Sequence, residues 1–261
     1  MWKRHSDNYS RHFESISSKI YTQLLSMSQL STAKSIVEVS CGTGNGLEMM
    51  RKDLKINTKI HASDVSKHMI EKSKNRRLGN IFFSVAENSN LPYPSSFCDR
   101  YIANLSLHIV RKRSEMLQEA FRILQEGGVA SFSVFSQPSP SNIIQMIEES
   151  CEESEFWLKN RSLFELKDMK KNLGLIGAVG FIEAEVSESS FFFDISSVDM
   201  ALEFAYDLFL YQKLAQNPPD HYSRLLQRLQ SKFTQHLSTH SKFSLDIRFI
   251  TVKKPIFINS S

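Results

Sequence analysis

A short apolar run closed by glycines, with a helix-like segment directly behind it, is the feature that most restricts what this chain can become. Ser35-Ile36-Val37-Glu38-Val39 reads as a strand, Ser40-Cys41-Gly42-Thr43-Gly44 as a tight turn, and Leu47-Glu48-Met49-Met50 as part of a helix. Glycines in such a turn take backbone dihedrals closed to other residues and let the chain pass close beneath a ligand, while the following helix offers free N–H groups. The unit then recurs. Lys59-Ile60-His61-Ala62-Ser63 predicts a second strand, with Ser66 capping a helix through Lys74. Ile81 to Val85 predicts a third strand and Arg100 to Leu105 a fourth. A helix from Glu115 to Leu124 is expected to end at Gly127-Gly128, before a fifth strand from Val129 to Phe135. Strands alternating with helices imply a parallel sheet covered on both faces.

The flanks follow other patterns. Phe13, Ile16, Ile20, Leu24 and Met27 recur at spacings of three and four, which predicts an amphipathic leading helix packed on the domain. Pro138 and Pro140 break the chain before a helical stretch of about 20 residues, and Leu163 to Leu173 predicts another helix. Two alternating strands, Phe181 to Val186 and Leu245 to Val252, enclose a helical region from Val198 to Leu237 that is interrupted at Asn217-Pro218-Pro219-Asp220. The reading is one domain over residues 1–261: a leading segment 1–33, a core 34–136, and substrate-side helices with the last strands in 137–261. No apolar run reaches the roughly 18 residues a membrane-spanning helix needs, and the polar N-terminus is unlike a signal peptide, so a cytoplasmic protein is expected. Cys41, Cys98 and Cys151 are too scattered for a disulfide framework or a paired metal site, and no metal is expected. A net charge of +4 is small beside the basic excess of nucleic-acid-binding domains.

Two acids carry the chemistry. Glu38 lies just before the glycine turn, where it would repel a pyrophosphate but attract a cation. Asp64, at the end of the second strand, can accept both hydroxyl protons of a ribose. Leu47 stands where a dinucleotide-binding fingerprint has its third glycine. Further along come Asp64, Ser66 and Met69 at the start of the second helix, Leu91-Pro92-Tyr93-Pro94 with Ser96-Phe97-Cys98-Asp99, and Leu107-His108-Ile109-Val110. Glu119 to Leu124, Gly127-Gly128 and Val252-Lys253-Lys254-Pro255 complete the order. This ordered set resembles the class I S-adenosylmethionine-dependent methyltransferases, in the small-molecule branch that includes quinone-biosynthesis enzymes, closely over residues 35–135 and loosely elsewhere.

The resemblance implies a Rossmann-like, doubly wound α/β sheet of seven strands, mostly parallel with one antiparallel strand, helices on both faces and a helical lid. It implies S-adenosyl-L-methionine as cofactor, held by Glu38, Ser40, Gly42, Gly44, Asp64, Val65, Met69, Ala86, Glu87 and Asn104, with Tyr9 and Tyr21 of the leading helix closing over its methionine end. His108, just after strand four, is the candidate general base. A side chain at Gly44 is expected to enter the cofactor's space and leave the domain folded. The departures are Ser40 in place of the first glycine, Glu126 in place of a proline, and Val85 where an acid usually meets the adenine amine.

The rivals are a cofactor-binding protein without turnover, motivated by Ser40 and Val85, and a nicotinamide-dependent oxidoreductase, disfavoured by Glu38 and Leu47. Asn90-Leu91-Pro92-Tyr93 and Asn217-Pro218-Pro219-Asp220 resemble a motif that holds a nitrogen for methylation, but neither lies at the end of strand four. Asn104-Leu105-Ser106-Leu107 does, so no nucleic-acid partner is expected. Phe204, Tyr206, Leu208, Phe209, Leu210 and Tyr211 crowd one segment too densely for a single helix face. They point to a lid over a small or medium-sized, partly apolar acceptor.

Overall fold

In a computed structural model of the chain, residues 14–55, 57–136, 141–152, 168–193, 195, 197–206 and 219–257 are described. The leading helix α1 (Glu14–Met27) is followed by β1 (Ser35–Val39), α2 (Asn45–Asp53), β2 (Lys59–Asp64), α3 (Lys67–Asn75) and β3 (Ile81–Val85). Then come β4 (Cys98–Ala103), α4 (Arg113–Ile123), β5 (Leu124–Phe135), α5 (Ile143–Glu152), α6 (Met169–Ala178) and β6 (Ile182–Phe193). Helices α7 (Val198–Ala205) and α8 (Pro219–Thr239) precede β7 (Phe243–Lys253). Tyr9, Phe209 and Tyr211 lie outside the described residues, as do residues 163–167 of the predicted 163–173 helix, whose remainder falls in α6, and the start of the 217–220 break. Pro219 sits at the first position of α8, where its missing N–H costs nothing.

The sheet order is β3-β2-β1-β4-β5-β7-β6. β1 pairs in parallel with β2 and β4, β2 with β3, and β4 with β5, whereas β7 runs antiparallel to both β5 and β6. The chain winds outward from β1 in two directions, so a crevice opens between the carboxyl ends of β1 and β4. Ile36, Val37 and Val39 of β1 are fully buried, as a strand covered on both faces requires.

Two cores explain the layering. On one face α4 buries Met116, Leu117, Ala120 and Ile123 against Val37, Tyr101 and Phe132. On the other, α1 contributes Ile16, Ile20, Tyr21, Leu24 and Leu25 to a core shared with Ile36 and Ile102. Phe204 of α7, Leu229 and Phe233 of α8 and Phe249 of β7 belong to that same core. Burying each such side chain contributes about 1.5–3 kcal/mol, so α1 and the late helices stabilise one another through the sheet. No helix among the described residues is long and apolar enough to cross a membrane.

Three expectations change. Gly127-Gly128 does not end a helix: α4 stops at Ile123, Leu124 already pairs with Cys98, and the register slips before Val129 pairs with Arg100. Gly127 adopts φ 72° in that bulge, and the loop is closed by Gly127 N–H donating to Lys254 O and Lys254 N–H to Gly128 O, both at 2.9 Å. β6 extends to Phe193 through Ser187–Ser190, a polar stretch held in the sheet by backbone pairing to β7. β4 begins and ends two residues earlier than expected, and Leu105 just beyond it turns to φ 48°.

The end of α1 is held by a residue that periodicity does not mark. Arg100, buried within β4, donates to Ser28 O and Gln29 O at 3.1 Å from Nε, and to Gln29 O at 2.9 Å and Thr32 Oγ1 at 2.6 Å from its terminal nitrogens. It thereby satisfies carbonyls that a helix end leaves open. Arg100→Met is expected to destabilise the protein by about 1–3 kcal/mol, because the buried Ser28 carbonyl is left without that partner. Urea unfolding measures this, and a change below about 0.5 kcal/mol would remove Arg100 from the account.

Candidate functional site

The turn after β1 is built from three left-handed residues: Ser40 at φ 53°, Gly42 at φ 54° and Gly44 at φ 81°. Ser40 holds a conformation that glycine takes freely, and its Oγ accepts a hydrogen bond from Asn88 Nδ2 at 2.9 Å. Cys41 N–H donates to Ser63 O and Gly44 N–H to Cys41 O, so the turn is bonded to β2 and to itself. Asp64 does more than await a ligand. Its Oδ2 accepts from Gly42 N–H at 3.0 Å and its Oδ1 from Ser66 N–H at 2.9 Å, so one carboxylate braces both strand-end loops.

The two turn glycines have different causes. A Cβ built on Gly42 meets nothing within 4 Å, so that position faces open space. On Gly44 it would lie 2.1 Å from Ser73 Oγ and 2.9 Å from Ser73 Cβ. Gly44 is therefore required for the turn to pack against α3, and the expectation that a side chain there leaves the fold intact is corrected. Gly46 serves a third purpose, since a Cβ there would strike the Tyr21 ring at 2.8 Å. Its absence lets Tyr21 cross the start of α2 and donate its hydroxyl to Glu38 Oε2 at 2.8 Å.

Glu38 is 3% exposed. Burial pushes its carboxyl up from the ordinary 4.5 to about 8, with the Tyr21 hydrogen bond pulling the other way and the Asp64 charge adding to the rise. The Asp64 carboxyl is also raised by burial, against the pull of its two backbone N–H donors. Glu38, Gly42, Asn104 and, from α1, Glu14, Ser17 and Tyr21 line a recess of about 50 Å³ at the crevice between β1 and β4. Asn104 is held there by Ser133 of β5, whose Oγ donates to Asn104 Oδ1 at 2.7 Å and accepts from Leu105 N–H at 2.8 Å.

Helix α1 is pinned over this recess. Besides Tyr21 on Glu38, Asn45 Nδ2 donates to Ser18 Oγ at 2.6 Å, and Arg76 pairs with Glu14. Arg76, the residue ending α3, also donates to Thr43 O and to Glu48 Oε2, both at 2.7 Å. One guanidinium thus joins the glycine turn, α2 and α1. Arg76, Asn88, Ser133 and Gly46 were not marked as site residues by sequence, because each acts through a partner distant in the chain.

The remaining expected residues divide. Met69 is buried at the start of α3, with its N–H donating to the Ser66 cap, and Ala86 N–H donates to Asp64 O at 3.1 Å. Val65 is 52% exposed, and Glu87 is exposed with its backbone bridged to Asn90. His108 departs from the role expected of it. The residue is 2% exposed, its ring packs on Phe135 with centroids 4.1 Å apart, and it is not among the residues lining the recess. Burial, with Arg113 nearby, pulls its pKa down to about 3, so it is a neutral ring through the physiological range. Phe204, one of the crowded aromatics, is buried in the shared core and does not face the recess.

Residues 36–128 match the family model of a methyltransferase domain. The ubiquinone/menaquinone biosynthesis C-methyltransferase UbiE of Coxiella burnetii is 26% identical over 116 residues, 42% of this chain and 46% of that protein. The match therefore spans about half the length of that curated relative. The YcgJ protein of Bacillus subtilis superposes with a TM-score of 0.64 at 12% identity, covering 92% of this chain and all of that one. Phosphoethanolamine N-methyltransferase 2 of Haemonchus contortus, solved with phosphomonomethylethanolamine and S-adenosylhomocysteine, gives 0.57 at 15% identity over 93% of this chain and 53% of that one. The fold is that of the class I S-adenosylmethionine-dependent methyltransferases.

Gly44→Ala is expected to lower the thermal midpoint sharply through its contact with Ser73. Gly42→Ala is expected to cost only the left-handed strain of about 1–2 kcal/mol. Thermal unfolding of the two variants checks the ordering, and equal losses would contradict it. The Glu38 carboxyl supplies a second prediction. It stays protonated in the fold to about 8 and ionises from about 4.5 when unfolded, so its contribution to stability is intact below 4.5 and is lost as pH rises through 8. A cation beside it favours ionisation, so a cationic ligand is expected to expel a proton on binding and to bind more tightly as pH rises toward 8. Calorimetry in two buffers of different ionisation heat measures the release, which Glu38→Gln should abolish.

Proposed function

We propose that the protein is an S-adenosylmethionine-dependent methyltransferase acting on a small or medium-sized, partly apolar acceptor. The observation that carries this reading is the buried Glu38 carboxyl facing a recess beneath the glycine turn, one strand away from Asp64. The recess and the strand end beside it fit the cofactor in kind: in the recess Gly42 leaves its Cβ direction open and Glu38 offers an acceptor for an ammonium, and beside it Asp64 has lone pairs beyond those bonded to Gly42 and Ser66 for a ribose diol. Its volume of about 50 Å³ is well below the roughly 300 Å³ and more of ligand pockets, so α1 must yield when a ligand enters.

The cofactor, when bound, supplies a methyl group on an already activated sulfonium. The chain then has to hold, align and desolvate. Glu38 and Tyr21 fix the cationic end, Asp64 the ribose, and the Asn104–Ser133 pair the edge of the crevice where an acceptor would approach. With these positions fixed, orientation alone can supply much of the rate, and no ionisable base has to line the recess. The partly apolar acceptor draws its support from the quinone-biosynthesis relative and from the apolar late helices that share a core with α1.

A second reading, a cofactor-binding protein without turnover, is favoured by the burial of His108 away from the recess. Two measurements separate the readings. Asp64→Ala is expected to weaken S-adenosylmethionine and S-adenosylhomocysteine alike, by about 1–3 kcal/mol, as a buried acceptor is lost and the turn it braces relaxes. Incubating small molecules of a cell extract with the protein and methyl-labelled cofactor, followed by mass spectrometry, is expected to show a labelled acceptor. Binding without any labelled product would favour the second reading, and absence of binding would end both.

A further inference from the structure

The strand order lays out the site as a line. Glu38 and Gly42 belong to the end of β1, Asp64 to the end of β2, and Val85 to the end of β3, with β2 between the other two. Neighbouring strands lie about 4.8 Å apart. A ligand with its ammonium at Glu38 and its diol at Asp64 therefore runs from β1 toward β2, and the group on the far side of its ribose arrives over the end of β3.

What waits there is apolar. Val85 is in register with Asp64 and 55% exposed, and Val65, the residue after Asp64, is 52% exposed. Both are more than half exposed, and they flank a carboxylate that is itself buried. Three donors at these strand ends are already engaged. Ala86 N–H is bonded to Asp64 O, Ser66 N–H to Asp64 Oδ1, and the Asn88 amide, buried at 7%, is turned back to Ser40 Oγ. Glu87 is exposed, its backbone bridged to Asn90.

We infer that Val65 and Val85 hold the nucleobase by apolar contact, without reading its 6-position, so that the site takes purine nucleoside ligands bearing a 6-oxo group as readily as adenosine ligands. The inference rests on the cofactor reading above and adds its base specificity. The physical ground is an asymmetry in discrimination. A site that hydrogen-bonds a ligand group rejects an analogue lacking it by about 10⁴ or more, whereas an apolar surface distinguishes polar substituents by about 10² at most. Both purine faces present the same stacking area to a valine methyl, and the two bases differ in hydrogen bonding at the edge.

The test uses the full chain and two ligands, S-adenosylhomocysteine and S-inosylhomocysteine, in which the amine is replaced by a carbonyl. Calorimetry is expected to give dissociation constants within about threefold of one another. Val85→Ala and Val65→Ala should weaken both ligands equally, and Val85→Asp should create a preference of about tenfold or more for the adenosyl ligand by supplying an acceptor for the amine. Glu87→Ala should leave the ratio unchanged. A wild-type preference for the adenosyl ligand above the roughly 10² that an apolar surface can supply would overturn the inference, and its loss in Glu87→Ala would assign the reading of the amine to Glu87. Failure of both ligands to bind wild-type protein would instead overturn the cofactor reading, and with it this inference.

Discussion

The hydrogen bond from Tyr21 to Glu38 is the interaction on which the rest of the site depends. A carboxyl at 3% exposure cannot remain there unpartnered, and its partner comes from a helix that precedes the sheet in the chain. The contact requires α1 to cross the start of α2, and that crossing requires Gly46. Once α1 lies there, Ser18 meets Asn45 and Glu14 meets Arg76, so the leading helix becomes the roof of the recess. Its far end is held by Arg100, and its apolar face by the core it shares with the late helices.

Asp64 and Arg76 act as opposite braces on one turn. The carboxylate holds Gly42 from the β2 side and the guanidinium holds Thr43 O from the α3 side, so a turn with three left-handed residues is fixed in position before any ligand arrives. Such preorganisation lowers the cost of ordering on binding. The same arrangement puts Asp64 close enough for its charge to add to the rise of the Glu38 carboxyl, which makes the recess sensitive to pH.

Much of the core was legible in the sequence, because its physical causes are local. The apolar run of β1 and the alternation of strands and helices through residue 135 follow from side-chain period and turn chemistry, and β1 and β3 were located to the residue. Ser66 was readable as a cap, and its Oγ does accept from Met69 N–H. The failures are also physical. Gly127-Gly128 looked like a helix stop but forms a bulge, since only pairing with β4 and Lys254 decides where strand geometry resumes. β6 was cut short because its Ser187–Ser190 stretch has no apolar signal and is held by backbone bonds to β7.

The sequence by itself determined the parts of the site whose chemistry is carried by one residue beside a turn: Glu38 before the glycines, Gly42 within them, Asp64 at the next strand end. Local backbone preference and charge are enough to place such residues. Only the tertiary structure decided which glycine faces open space and which packs on Ser73, because that depends on how closely α3 approaches. It also decided that His108 is sealed against Phe135, and that Arg76, Asn88 and Ser133 support the site. These are contacts between segments that spacing along the chain does not relate. They exist because burying apolar faces on both sides of one sheet brings those segments together.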